Sequence, residues 1–400
     1  MLRDLCPDGV EYRAIGDIAK LVRGSGMPKS TFREHGVGAI HYGHIYTRYG
    51  IHTSRTCAYV EPDYAAKLTI VPPGALVVAN TSENMEDVGK AVAWCGKTEV
   101  VTGGHATVLH SAQDTKFLSY YFRSAEFAIE KRKYAFGTKV IELSAKNLAK
   151  IRVPVPPLEV QHEIVRILDQ FTELEAELEA ELEARRKQYD YYRARIFEDD
   201  RVQEAEWTTL EAISTRVSSG ATPKAGAPEY YNEGTIPWLR TNEIQFHDIW
   251  KTKVFITDRA LRETGVSWIP ANCVIVAISG ATAGRCAINK VPLTTNQHCC
   301  NIEINHMQAD YRYVFHWVSH RYRQLKALGR GARLDLNARL IRRFPIPLPS
   351  LSEQRRIAEV LDKFDALVND LTSGLPAEIA ARRKQYEYYR DRLLTFPERK

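Results

Sequence analysis

The sequence predicts an α+β protein in which two globular α/β blocks alternate with two long helical segments. Three observations carry this prediction. The chain repeats itself, its charge is divided by block, and one helical segment contains a tetrad written three times. At 400 residues, with 44% hydrophobic residues and six Trp, there is material for two or three cores rather than one.

The duplication is plainest in the helical segments. ARRKQYDYYRARIF from Ala184 returns as ARRKQYEYYRDRLL from Ala381, and PPLEVQHEIVRILDQF from Pro156 is answered by PSLSEQRRIAEVLDKF from Pro349. The globular blocks repeat more faintly. VEYRAIGDI (10–18) answers AEWTTLEAI (205–213), RGSGMPKS (23–30) answers SSGATPKA (218–225), and VGKAVA (88–93) answers AGRCAI (283–288). A repeat of this length is a tandem duplication, globule–helix–globule–helix. It divides the chain into residues 1–155, 156–200, 201–348 and 349–400.

Charge follows the same division. Residues 1–155 carry a net +5 and 156–200 a net −7, while 201–343 carry +7 and 344–400 carry +1. Basic globules point to a polyanionic partner. The seven Cys are scattered without a C-x-x-C, which suits a reducing cytoplasm, and no apolar run is long enough to span a bilayer.

Within the globules, GALVVA (74–79) and NCVIVAI (272–278) are short apolar runs behind Gly or Asn and are expected as buried strands. IRVPVPP and FPIPLPS are punctuated by proline, which confines them to linkers or sheet edges. Helices are expected over 158–197 and 351–396. Ser350 with Glu353 has capping-box spacing, and SGLP at 373–376 should break the second helix. In the first helix Ile164, Ile167, Leu168, Phe171, Leu174, Leu178 and Leu182 form an apolar stripe. Its tetrads are ELEA from Glu173, Glu177 and Glu181. Phe171 to Arg185 spans 14 residues and Phe364 to Arg382 spans 18, a difference of one tetrad.

Catalytic signatures are missing. The chain has no Asn-Pro-Pro-aromatic motif, and AVAWCGKT (91–98) has Ala91 where a phosphate loop needs glycine. His41, His44 and His52 lack Cys or carboxylate partners at ligand spacing. Cys299 and Cys300 are adjacent in an expected strand, so they should face opposite sides and pack.

Taken together, the duplicated Q-x-x-I-x-x-x-LD-x-F and RRKQY-x-YYR segments, with tetrads between the first pair, resemble the DNA-specificity subunit of type I restriction–modification systems. The spacer resembles the branch with tetrapeptide repeats. The likeness covers essentially the whole chain, and it extends to the Pro-Lys loop near the start of each globule and to TTNQ at Thr294–Gln297. The first globule departs from the latter with VTGG at 101–104. The resemblance implies two target recognition domains, each reading half of a bipartite, asymmetric double-stranded DNA site. It implies two long helices packed antiparallel as a coiled-coil spacer, the halves being related by a pseudo-twofold. It also implies two methyltransferase subunits bringing S-adenosylmethionine for adenine methylation, and up to two translocase–nuclease subunits using ATP and Mg. This chain would then be a cytoplasmic, non-catalytic member that binds no cofactor or metal itself. A self-sufficient DNA methyltransferase or nuclease, and a coiled-coil scaffold that does not touch DNA, are the alternatives.

Base reading calls for paired donors and acceptors, and phosphate binding for Lys, Arg and Ser on loops. In the first globule the candidates are Lys29, Ser30, Tyr42, His44, Arg48, Lys90, His105, the run Lys131, Arg132, Lys133, and Lys139. In the second they are Thr222, Lys224, Arg240, Asn242, Thr282, Arg285, Asn296, Gln297, Arg330 and Arg333. Asn296 and Gln297 could instead form a buried hydrogen-bonding pair. For the helical spacer and subunit docking the candidates are Leu174, Leu178, Leu182, Arg185, Tyr189, Tyr192, Arg382, Tyr386 and Tyr389. The tyrosines, at three-residue spacing, would also suit a helix–helix seam. Their near-identity in two otherwise divergent copies favours a doubled docking surface.

Overall fold

The computed structural model describes residues 6–329, 335–370 and 373–399. The chain divides into two compact units, residues 1–177 with 379–400, and residues 178–378. The boundary at Glu177 and Leu178 falls inside the second tetrad.

The two units are built from the same sheets in the same order. The first has a five-stranded sheet running Ala19–Arg23, Ala106–Ser111, Leu76–Ala79, Ala91–Trp94, His52–Thr53. The second has Ser214–Ser219, Cys299–Ile304, Val274–Ala277, Cys286–Asn289, Asp248–Ile249. In both, only the last strand pairs parallel to its neighbour. A four-stranded sheet follows suit, Ala58–Val60, Val37–Ile40, Val100–Thr102, Thr69–Val71 in one unit and Val254–Ile256, Ile236–Leu239, Leu293–Thr295, Trp268–Ile269 in the other. The faint sequence repeat is therefore a repeat of both main sheets, to which the first unit adds a short ribbon of Thr81–Ser82 with Ile141–Glu142 that has no counterpart among the described residues of the second.

The expected strands form, and their register explains their composition. Leu76, Val77, Val78 and Ala79 are all buried, as are Val274 to Ala277, because each run lies mid-sheet with both faces covered. Cys299 belongs to the core between the sheets and Cys300 to the core against the helices, one to each face as the strand period requires. The proline-punctuated segments sit in two-stranded ribbons, Glu11–Ala14 with Arg152–Val155 and Glu206–Thr209 with Pro345–Leu348. An edge spares proline the ladder bond it cannot donate.

Three long helices complete the fold: Leu158–Phe197 (α1), Leu351–Asn369 (α2) and Leu375–Leu394 (α3). Ser350 caps α2 by accepting from Glu353 N at 3.3 Å. The break before α3 falls where SGLP places it, with Pro376 in the first turn of α3. The first half of α1 and α3 from Ile379 on belong to the first unit, whereas the second half of α1, α2 and the first turn of α3 belong to the second.

The repeated motif is how a helix docks on its own globule. Gln161 Nε2 donates to Pro156 O at 2.7 Å and its Oε1 accepts from Asp114 N at 3.0 Å. Gln354 does the same with Pro349 O at 2.8 Å and Asp310 N at 2.9 Å. Ile164 and Leu168 enter the first core, and Ile357 and Leu361 the second. Asp169 meets Lys116 at 2.9 Å and Tyr120 at 2.7 Å. Its counterpart Asp362 accepts from Arg312 Nε at 2.9 Å and lies 2.6 Å from His316 Nε2. A charged partner and a ring at matched positions repeat the anchor with different chemistry.

The tetrad leucines face inward unevenly. Leu178 is buried, and Leu174 and Leu182 are half-buried, because a four-residue repeat rotates about 40° per step on a 3.6-residue helix. Most intervening glutamates are exposed, but Glu175 is half-buried and pairs with Arg383 of α3.

Candidate nucleic-acid interface

In the first unit, three loops gather at one end of the four-stranded sheet. The chain after Ala19–Arg23 passes so close to the loop after Val100–Thr102 that a Cβ on Gly24 would fall 1.9 Å from Gly103 O. Glycine alone permits that approach. Pro28 then leads into a single 3-10 turn, Lys29–Thr31, which holds Lys29 and Ser30 exposed. The short helix Tyr42–Thr47 is capped by His41, whose Nδ1 accepts from Gly43 N at 3.1 Å.

Around that cap the rings converge. Tyr42 lies 4.4 Å from His41 and 5.0 Å from His105, His44 lies 5.4 Å from His41, and Phe32 packs on both His41 and His44. Burial, followed by the proximity of His44, Lys29 and His105, pushes the His41 imidazole down to about 4. Burial, then Arg48 and Lys29, also pulls His44 below its ordinary value. Both rings are therefore neutral at pH 7, acting as hydrogen-bonding and stacking groups with Lys29 and Arg48 as the formal charges. The fold thus brings Lys29, Tyr42, His44, Arg48 and His105 to one surface.

Other first-unit candidates stand apart from that group. Lys90 is half-buried and held by Asp87 at 2.7 Å. Lys131 corrects the expectation of an exposed basic run. It is 3% exposed, and its ammonium donates to Val88 O at 2.7 Å and Glu86 O at 3.1 Å. The charge is consumed in bracing the 84–90 loop, and burial lowers its pKa to about 8. Arg132, Lys133 and Lys139 are exposed, Lys133 being paired with Glu130.

The second unit builds the same place from different side chains. A Cβ on Gly220 would meet Thr295 O at 1.9 Å, so this Pro-Lys loop is pinned as the first one is. Thr222 hydrogen-bonds Gln297 across two loops, and Arg285 donates to Gln245 across two others. Thr222, Lys224, Asn242 and Gln297 are exposed and Arg285 is half-buried. Arg240 has a buried Nε without a hydrogen-bond partner among the described residues.

Two candidates are corrected here. Thr282 is buried and spends its hydroxyl on Thr241 O at 2.9 Å. Asn296 is buried, its Oδ1 accepting from His298 N at 3.1 Å and lying 3.2 Å from Cys299 Sγ, so it shapes the turn that exposes Gln297. The two do not form a buried pair: Asn296 is spent internally, while exposed Gln297 bonds Thr222. Arg330 and Arg333 lie outside the described residues. Residues that composition did not single out include Phe32 and Gln245, both placed by loop geometry. The ring density of HYGHIYTRYG (41–50) was the available sequence signal for the cluster.

On the helices, Tyr189 is buried and Tyr386 packs half-buried against the first core, which corrects their assignment to an accessible docking surface. Arg193 lies over Tyr189 at 4.9 Å and Arg390 over Tyr386 at 5.7 Å. Arg185 and Arg382 each bond a glutamine three residues on, at 3.1 Å. Tyr192 and Tyr389 are partly exposed, and the outward tyrosines are Tyr191 and Tyr388.

The duplicated scaffold has a counterpart among known families. The type I restriction modification DNA specificity domain matches twice, at residues 7–184 and 206–381. The chain belongs to this family. Among relatives of this specificity family, the EcoR124I/EcoR124II specificity subunit of Escherichia coli is 37% identical over 265 residues, covering 63% of this chain and 65% of that protein. A putative type I restriction enzyme specificity subunit of Haemophilus influenzae is 28% identical over 97% of this chain and 96% of its own. The S subunit of a type I restriction–modification system from M. genitalium shares the fold, with a TM-score of 0.60 at 15% identity and 96% of each chain covered. The α+β architecture expected of the specificity family is thus the one observed. No helix among the described residues is long and apolar enough to cross a membrane.

Proposed function

We propose that this chain is the DNA-reading subunit of a type I restriction–modification complex, each globule reading one half of a bipartite, asymmetric site. One observation carries this reading. Equivalent loops on an equivalent scaffold present different side chains, Lys29, Tyr42, His44, Arg48 and His105 in one unit, Thr222, Lys224, Asn242, Arg285 and Gln297 in the other. A constant frame with divergent tips is what an address in two unlike halves requires. Lys29, Arg48 and Lys224 suit phosphates, whereas Asn242, Gln297 and Arg285 suit base edges.

The chemistry then belongs to partners. Two methyltransferase subunits bring S-adenosylmethionine and methylate adenine, and up to two translocase–nuclease subunits use ATP and Mg. The ELEA tetrads belong to the repeat-spacer branch and set the length between the half-sites. The test is direct: the purified chain should bind duplex DNA with an affinity that falls steeply with salt, and transfer no methyl group by itself. Methyl transfer without added subunits, or salt-insensitive binding, would overturn the proposal.

A further inference from the structure

Residues 136–142 form a narrow hairpin on the first unit. Phe136 N donates to Glu142 O at 3.0 Å and Glu142 N to Phe136 O at 2.8 Å. Gly137 closes it at φ +142°, and a Cβ there would fall 1.9 Å from Val140 O. The hairpin is fastened to the loop end already described. Ile141 pairs with Ser82 and Glu142 with Thr81. Asn80 links the two features: its Nδ2 donates to Leu143 O at 2.6 Å and its backbone N to His105 O at 2.8 Å.

What this frame holds out is Phe136, 64% exposed, beside exposed Val140, with Arg132, Lys133 and Lys139 exposed nearby in sequence. A single exposed apolar residue is ordinary. A phenylalanine on a glycine-closed hairpin, braced to a polar interface and accompanied by cations, is a different case. Its ring does not join any of the unit's cores. An exposed ring with exposed Arg132 and Lys139 within four residues of it in the chain matches a partner that alternates phosphates with stackable bases, and apolar side chains of this kind can enter and unstack a base step.

We propose that Phe136 is an aromatic wedge that packs against the bases of the bound duplex, with Lys139 on an adjoining phosphate. This rests on the DNA-reading role proposed above. The test uses the full-length chain and a duplex carrying the motif mapped from methylated adenines, with 2-aminopurine placed in turn along each half-site. Phe136→Ala should weaken binding about tenfold, with the salt slope unchanged. It should also abolish a 2-aminopurine fluorescence rise seen in one half-site only. Phe136→Trp should keep both, and Lys139→Ala should lower the salt slope instead. Equal affinity and fluorescence for Phe136→Ala would overturn the wedge, as would a loss of affinity with fluorescence unaltered. If the unaltered chain lacked salt-dependent affinity for DNA, the DNA-reading role itself would fail, and the wedge with it.

Discussion

Phe171 stacks on Tyr389 with ring centroids 5.5 Å apart and planes at 26°. Within the other unit Phe364 stacks on Tyr192 at 5.8 Å and 30°. Phe171 and Phe364 close the two LD-x-F segments, and the tyrosines belong to the two YYR segments. Each LD-x-F therefore packs on the YYR of the opposite repeat. Reciprocal packing of this kind gives a structural reason for near-identity between the copies. A change in one YYR must still fit the other repeat's phenylalanine, while loop tips that touch only a ligand are free to diverge.

Burial separates the charged candidates by what their removal should do. Lys131→Met should destabilise the first unit by on the order of 1–3 kcal/mol, because two carbonyls lose their donor, and should leave the salt dependence of DNA binding unchanged. Lys29→Ala and Arg48→Ala should each lower the salt slope by about 1 with little effect on stability. Urea denaturation and duplex titration at several salt concentrations check both. A salt slope lowered by Lys131→Met at unchanged stability would contradict the assignment.

The sequence made the frame legible because its signals are local. Proline placed the ribbons at edges, Ser350 and SGLP marked helix ends, and apolar runs named the central strands. The interface was legible only in part. Lys131 reads like its neighbours Arg132 and Lys133, yet helical geometry turns it inward beneath the 84–90 loop. Asn296 and Gln297 are adjacent and chemically alike, and only the turn decides which is spent internally. Tyr189 and Tyr192 are one helical turn apart, and the seam takes the first more completely than the second.

His41 should give the first unit an acid-sensitive limb. The folded state keeps its Nδ1 unprotonated to accept from Gly43, whereas the unfolded chain takes a proton below the ordinary value of 6.5. Stability is thus present above about pH 6.5 and falls towards pH 4, by on the order of 2–3 kcal/mol from this group. His320, pushed down to about 4 by burial and then by Arg321 and Arg193, adds a limb of the same sign in the second unit. His41→Asn keeps a capping group without the titration and should flatten the first unit's share. Denaturation curves across this range decide it, and an unaltered acid limb in the variant would refute the cap.

Asp362 carries the opposite kind of linkage. Burial alone would raise its pKa, but hydrogen bonds from His316 and Arg312 and the Arg312 charge hold it below the ordinary value. Its contribution is therefore complete above the ordinary carboxylate range and disappears as pH falls through the lowered value. Asp362→Asn should cost about 2 kcal/mol at neutral pH, trimmed because the carboxylate is 34% exposed while Arg312 is 16% exposed. Asp169→Asn should cost less, since its partners are one ammonium and one neutral hydroxyl, where Asp362 holds a guanidinium and an imidazole. A larger loss at Asp169 than at Asp362, measured by denaturation, would contradict this ordering.

Deleting Glu177–Ala180 removes one tetrad and about 6 Å of helix, comparable to one or two base-pair steps. The unread spacer of the target should shorten while both half-sites stay the same, since no reading loop is touched. Recovery of the original spacer length would show that the tetrads do not set the distance between the half-sites.

The central claim, two globules reading two unlike half-sites, is tested most directly by long-read mapping of methylated adenines in cells carrying the system. The account predicts a bipartite, asymmetric motif with one modified adenine in each half and an unread spacer between them. A single continuous palindrome would contradict it.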